Sequence, residues 1–196
     1  MNNIYPIFDT LVSKQQKEAL LQQRGKVIWM VGLSGSGKST LARAVENTLH
    51  QQNKVTMLLD GDNLRTGVNN NLGFSEEDRT ENIRRAAEVA KLFSTCGLIT
   101  ICSLISPTKQ IRSMAREIIG TDYFEVYIDC PLEVCEQRDV KGLYAKARRG
   151  EIKDFTGISS PFDIPQTPDL SVPTYQQSLE DSHQLLVDKI LEVTSI

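Results

Sequence analysis

Nine residues, Gly32-Leu33-Ser34-Gly35-Ser36-Gly37-Lys38-Ser39-Thr40, match G-x-x-x-x-G-K-[ST] at every fixed position. They restrict the chain to folds in which a strand enters a helix through a phosphate-binding turn. Glycine at these places lets successive backbone N–H groups turn inward around an anion, where a side chain would block the approach. In that geometry Lys38 reaches the β- and γ-phosphates of a nucleoside triphosphate and the Ser39 hydroxyl faces Mg²⁺. The flanks agree with the motif. Lys26 to Val31 is an apolar run that reads as a buried strand, and Thr40 to Leu49 reads as a helix. Such a helix sets its positive end beneath the phosphates.

Composition removes several other classes. A chain of 196 residues, 40% hydrophobic and 24% charged, can bury one core without disulfides or metal. The net charge of -3 leaves no basic surplus for nucleic acid. Cys96, Cys102, Cys130 and Cys135 form no C-x-x-C pair and read as reduced, buried thiols. No apolar run has the length of a membrane span, and the start lacks a basic segment followed by an apolar core, so a cytoplasmic protein is expected.

Along the chain, residues 1–24 read as an arm: apolar Ile4, Tyr5, Ile7, Phe8, Leu11 and Val12, then a polar helix, packed on its own domain or on a partner subunit. Residues 25–196 read as one phosphate-loop domain. Val55 to Asp60 is a second strand, ending in the acidic turn Asp60-Gly61-Asp62-Asn63-Leu64-Arg65, where strand ends in α/β sheets hold ligands. Ser75-x-x-Asp78 has capping-box spacing and opens a helix running to Thr95, with Ile83, Ala87, Ala90 and Phe93 toward the core and Gly97 ending it. A third strand, Leu98 to Leu104, closes with Ile105-Ser106-Pro107. A helix over Thr108 to Ile119, a strand over Phe124 to Asp129 and a helix opened by Pro131 follow.

The basic segment from Asp139 to Gly150 holds Lys141, Lys146, Arg148 and Arg149, and with the proline-rich stretch up to Pro173 it reads as a lid over 139–173. One short strand is expected near Leu170 to Val172. The last helix should start near Tyr175, with Leu179, Leu185, Leu186, Ile190 and Val193 toward the sheet. About five strands alternating with helices imply an α/β fold, a parallel sheet covered on both faces.

Phosphoryl transfer requires positioning, Mg²⁺ and cations around the migrating charge, with little covalent work for the protein. Lys38 and the loop suit the donor, Ser39 the metal, and Asp62 or Asp60 either the metal or the proton of an attacking hydroxyl. Arg65, Arg79 and the segment from Lys141 to Arg149 suit an anionic acceptor. A switch GTPase shares the loop, but the guanine-reading Asn-Lys-x-Asp is absent: Asn53-Lys54-Val55-Thr56 lacks its aspartate. A metabolic kinase fits better.

The phosphate loop, Asp60 to Arg65, and Leu72-Gly73-Phe74-Ser75-Glu76-Glu77-Asp78-Arg79-Thr80-Glu81-Asn82-Ile83-Arg84-Arg85 together closely resemble the adenylylsulfate kinase family. The resemblance continues through Ile105-Ser106-Pro107, Pro131 to Asp139, Lys141-Gly142-Leu143-Tyr144 and Phe155-Thr156-Gly157-Ile158, in the family's order. The resemblance implies ATP and Mg²⁺ as cofactors and transfer of the γ-phosphate to the 3′-hydroxyl of adenosine 5′-phosphosulfate.

By the same resemblance Phe74 and Phe155 sandwich the acceptor adenine. Arg65, Arg79 and Asn82 hold its ribose, phosphate and sulfate, while Ile105, Lys141 and Leu143 line the acceptor side. Asp62 is expected nearest the 3′-hydroxyl and beside the metal with Ser39, and Asp60 is second. Ser106 matches a serine that family descriptions give as a phosphoserine intermediate. In-line transfer needs no covalent step, so Ser106 is read as a positioning residue. A homodimer is implied, as is an ATP sulfurylase as pathway partner. The chain departs from the family pattern at Thr108-Lys109 and at Ser159, and lacks a histidine common in the arm.

Overall fold

A computed structural model of the chain describes residues 3–196. Five strands, β1 (Lys26–Val31), β2 (Thr56–Asp60), β3 (Ile99–Ser103), β4 (Tyr123–Asp129) and β5 (Leu170–Pro173), form one sheet in the order β2-β3-β1-β4-β5. Every pairing is parallel. β1 is central, and the chain leaves it toward β3 and β2 on one side and β4 and β5 on the other. The loops after β1 and its neighbours therefore diverge and open a crevice at the strand ends.

Residues alternate sides along β1. Val27, Trp29 and Val31 pack on one face against α4 (Glu76–Thr95) and α5 (Lys109–Ile119), through Ile83, Ala86, Ala90, Ile111 and Ala115. Ile28 and Met30 pack on the other face against α2 (Lys38–Gln51) and α8 (Leu179–Thr194), through Leu41, Val45, Leu49, Leu186 and Ile190. Each large aliphatic side chain removed from water here contributes about 1.5–3 kcal/mol. β1 is held rigidly from both faces, and the phosphate loop leaves from its end. Ser75 caps α4 by accepting a hydrogen bond from the Asp78 N–H, as its spacing predicts.

Several expectations change. α2 begins at Lys38, earlier than Thr40, because Gly37 in a left-handed conformation already caps it. The acidic turn is itself a helix, α3 (Gly61–Thr66), capped by the Asp60 side chain on the Asp62 N–H. α8 begins at Leu179 because Ser178 caps it on Asp181, so Leu179 falls in the first turn and is exposed, as is Leu185. The helix expected from Pro131 is α6 (Leu132–Arg138), and the basic segment after it forms one short helix, α7 (Leu143–Arg148). Cys96 is exposed, not buried, because it follows the last turn of α4; Cys102, Cys130 and Cys135 are buried and free.

The first segment divides in two. Of its apolar residues, Ile4, Tyr5, Ile7, Phe8, Leu11 and Val12 are exposed. The following helix, α1 (Lys14–Leu21), is tied to the domain by Lys14 pairing with Asp122 and by the buried Gln23, whose amide donates to the Val55 and Gly97 carbonyls at 2.9 Å each. Among the described residues no helix is long and apolar enough to cross a membrane.

Candidate active site

The loop Gly32 to Thr40 leaves the buried end of β1 and turns tightly into α2. Gly35 takes φ +76°, and a Cβ there would lie 2.9 Å from the Cys135 carbonyl oxygen on α6, so both conformation and space require glycine. The loop is fastened from outside by the Thr174 hydroxyl, which donates to the Ser36 carbonyl at 2.8 Å, and by the Tyr144 hydroxyl on α7, which donates to the Ser34 carbonyl at 2.8 Å.

Lys38 is buried and turned back on the loop, its Nζ donating to the Gly32 and Leu33 carbonyls at 2.8 and 2.7 Å. Burial pushes its pKa down to about 8, with Cys135 and Asp60 opposing the shift. An ammonium held beside loop carbonyls under a helix N-terminus is poised for an anion with several oxygens.

Beside it, Ser39 Oγ donates to Asp60 Oδ2 at 2.7 Å and lies 3.1 Å from Ser103 Oγ. Asp60, at the end of β2, therefore reaches Ser39. Asp62, in the first turn of α3, instead pairs with Lys141 from the connection before α7.

The facing wall comes from α3, α4 and the segments after β3 and α7. Arg65 lies beneath Phe74, its guanidinium 4.3 Å from the ring centroid, and donates to the Gly73 carbonyl at 2.8 Å. Burial and the neighbouring Arg79 lower the Arg65 pKa. Arg79 braces two loops at once: Nε donates to the Phe74 carbonyl at 2.9 Å, one terminal nitrogen to Thr156 Oγ1 at 2.7 Å, and the other to the Asp154 carbonyl. Phe155 meets Tyr144 edge to face at 5.0 Å, while Phe74 is 64% exposed and projects from the wall.

Ser106 is buried with φ +44°, and its Oγ accepts the Trp29 indole N–H at 3.0 Å. The buried Arg112 donates to the Ser106 and Pro107 carbonyls at 3.1 and 3.3 Å, which holds this strained corner in place.

One cleft of about 610 Å³ unites these groups: Lys38, Ser39, Asp60 and Asp62 on one side, with Arg65, Phe74, Arg79, Asn82, Ile105, Ser106, Lys141, Leu143 and Phe155 around the rest. Ser34, Gly35, Gly37 and Thr40 line it as well. Gly32, Leu33 and Ser36 do not; they stand behind the loop, Leu33 packing with Cys130, Cys135 and Tyr144. Sequence reasoning passed over Ser103, Tyr144, Thr174 and Arg112. Ser103 carried a usable signal, its place at the carboxyl end of a strand next to β1, and Tyr144 its place in the motif Lys141-Gly142-Leu143-Tyr144; Thr174 and Arg112 carried none.

A family model described as adenylylsulphate kinase matches residues 24–173. The chain is 60% identical over 193 residues to an adenylyl-sulfate kinase of Bacteroides fragilis, covering 98% of this chain and 94% of that one. It is 55% identical over 184 residues to an adenylyl-sulfate kinase of Clostridium acetobutylicum, covering 94% and 90%. The solved Mycobacterium tuberculosis APS kinase CysC in complex with AMPPNP and APS superposes with a TM-score of 0.82 at 49% identity, covering 86% of this chain and 98% of that one. With a five-stranded parallel sheet, a phosphate loop at the end of its central strand and relatives matched over nearly the whole length, the chain belongs to the adenylylsulfate kinase family.

Proposed function

We propose that this cleft transfers the γ-phosphoryl group of MgATP to the 3′-hydroxyl of adenosine 5′-phosphosulfate, giving 3′-phosphoadenosine 5′-phosphosulfate and ADP. The observation that carries the residue roles is the two-sided cleft, with a phosphate loop on one wall and arginines, phenylalanines and a buried asparagine on the other. The Mycobacterium tuberculosis relative's complex with AMPPNP and APS supports one donor side and one acceptor side.

Lys38 exchanges its loop carbonyls for the β- and γ-phosphates, whose charge favours its ammonium form. Ser39, Asp60 and Ser103 bring hard oxygen atoms together, a donor set that suits Mg²⁺ directly or through water. When bound, the ion offsets phosphate charge and orients the β- and γ-oxygens. In this assignment Asp60 serves the metal side, and Asp62 serves the acceptor hydroxyl. The 3′-oxygen attacks the γ-phosphorus, the bond to the β–γ bridging oxygen breaks, and ADP leaves with that electron pair. Asp62, released from Lys141, takes the hydroxyl proton. Lys141 then faces the charge spread over the migrating group.

Phe74 and Phe155 take the acceptor adenine between them, and Arg65, Arg79 and Asn82 bind its ribose, phosphate and sulfate. Ile105 and Leu143 form apolar walls, and Ser106 positions without becoming phosphorylated. Residues 139–173 act as a lid on this site, and residues 1–24 as an arm whose exposed apolar part fits a homodimer contact. Dependence on ATP favours a cytoplasmic setting, and an ATP sulfurylase is the fitting source of the acceptor.

The test is ADP release from MgATP with a panel of acceptors. Turnover is expected with adenosine 5′-phosphosulfate at micromolar concentration. Turnover with gluconate, shikimate or a nucleoside, and none with adenosine 5′-phosphosulfate, would sink the proposal.

A further inference from the structure

Asn82 stands in the second turn of α4, where asparagine weakens a helix, yet it is only 6% exposed and lines the cleft. Behind it lies Asn69, from the connection between α3 and α4, fully buried and anchored by its N–H on the Leu64 carbonyl at 2.9 Å. The Asn69 amide nitrogen donates to Asn82 Oδ1 at 2.9 Å and faces the Asn82 main-chain carbonyl at 3.4 Å.

These contacts set the polarity of both amides. A main-chain carbonyl only accepts, so the Asn69 atom facing it is the NH₂ group. That group then requires an acceptor from the Asn82 side chain, which is its oxygen. The Asn82 NH₂ is left as the end turned away from Asn69, without a protein partner among the described residues. The arrangement leaves Asn69 Oδ1 buried with no partner, which is destabilising. Leucine has the same branching and would remove that orphan, but it would also strip Asn82 Oδ1 of its donor, so what asparagine supplies here is the hydrogen bond to Asn82.

We propose that Asn69 is a positioning residue for the acceptor. It holds Asn82 as an obligate hydrogen-bond donor toward the cleft, which selects an anionic oxygen of the phosphate or sulfate and disfavours a ligand group that itself donates. This rests on the reading above that Asn82 touches the acceptor. Removing Asn69's donor leaves Asn82 Oδ1 unsatisfied whenever the NH₂ faces the ligand, so binding has to restore an orientation the free protein no longer holds.

The experiment measures kcat, KM for adenosine 5′-phosphosulfate, KM for ATP and the thermal unfolding midpoint for Asn69→Leu, Asn82→Ala and the double variant. Asn69→Leu should raise the acceptor KM about tenfold, the scale of one hydrogen bond. The ATP KM should stay within about twofold, and the midpoint should move little, because the variant removes the Asn69 Oδ1 orphan and leaves one end of the Asn82 amide unpaired in exchange. In the Asn82→Ala background, Asn69→Leu should add nothing further. If leucine does not fold, Asn69→Ala carries the same expectation for the acceptor KM and for the double variant.

An unchanged acceptor KM in the Asn69 variant, with a raised one in Asn82→Ala, overturns the positioning role and leaves the functional reading intact. Additive effects in the double variant also overturn it. An unchanged KM in Asn82→Ala overturns the placement of Asn82 against the acceptor, and the proposal with it.

Discussion

Asp62 in the first turn of α3 and Lys141 before α7, 79 residues apart in sequence, form an ion pair in which both side chains are well exposed, 74% and 61%. Because solvent screens such a pair, it contributes at most about 1 kcal/mol to stability. Its interest lies in joining the proposed base to the proposed lid. Asp62→Asn should lower kcat by about 10²-fold or more, the range for loss of a general base, with the unfolding midpoint nearly unchanged. Steady-state kinetics beside a thermal melt checks this, and near-normal kcat would remove Asp62 from the role.

Lys38 has a folded-state pKa of about 8, below its ordinary 10.5, because it is buried. Between those values the unfolded chain binds more protons than the folded one, so this group's contribution to stability rises with pH from about 8 to 10.5 and is lost as pH falls through 8. The size is on the order of 3 kcal/mol. Urea midpoints of the nucleotide-free protein should therefore rise over this window relative to Lys38→Met. Comparing the two proteins removes the opposing trend from Tyr123 and Cys102, whose pKa values burial raises. Saturating MgATP should abolish the difference by favouring the ammonium.

Arg79 joins the Phe74 loop to residues 154–156 through three donor groups in one plane. A lysine keeps the charge and cannot reproduce that fork. Arg79→Lys should raise KM for the acceptor at least about tenfold while the ATP KM moves less than about twofold. Equal kinetics for the two side chains would show that charge alone suffices.

Ser106 gives its oxygen to the Trp29 indole N–H in a buried corner. Ser106→Ala should cost about 1–3 kcal/mol of stability by leaving that N–H unpaired, and should keep kcat within about tenfold. Total loss of turnover in a folded Ser106→Ala protein would revive a covalent role.

Gly25 precedes β1 in a place where a Cβ would come within 2.0 Å of the Ser94 carbonyl oxygen. Both partners are backbone, so neither can move aside cheaply. Gly25→Ala should destabilise by about 3 kcal/mol or more, readable as a lowered urea midpoint, although the cleft is remote.

The signals that were legible in the sequence are local ones. The apolar run from Lys26 to Val31 became β1, the loop became the anion turn, and Ser75 capped α4. Arg65 and Arg79 stood out as candidates by their charge and Asn82 through the family resemblance, and one cleft gathers the three. The start of α8 was misplaced because Tyr175 to Gln177 continue a tolerable pattern, and only the Ser178 cap shows where hydrogen bonding begins. The roles of Tyr144, Thr174 and Arg112 were not legible, since each acts on a carbonyl and main-chain carbonyls look alike in any sequence.

The order of strands and helices, the identity of the phosphate loop and the chemical types around it follow from the sequence by itself, because periodicity, caps and glycine conformations act within a few residues. Which aspartate stands beside Ser39, which lysine answers Asp62, and which end of the Asn82 amide faces the cleft were decided by tertiary structure. Those are choices among chemically equal candidates. They are settled when distant segments are packed to within about 3 Å of one another, a distance at which a hydrogen bond either forms or is lost.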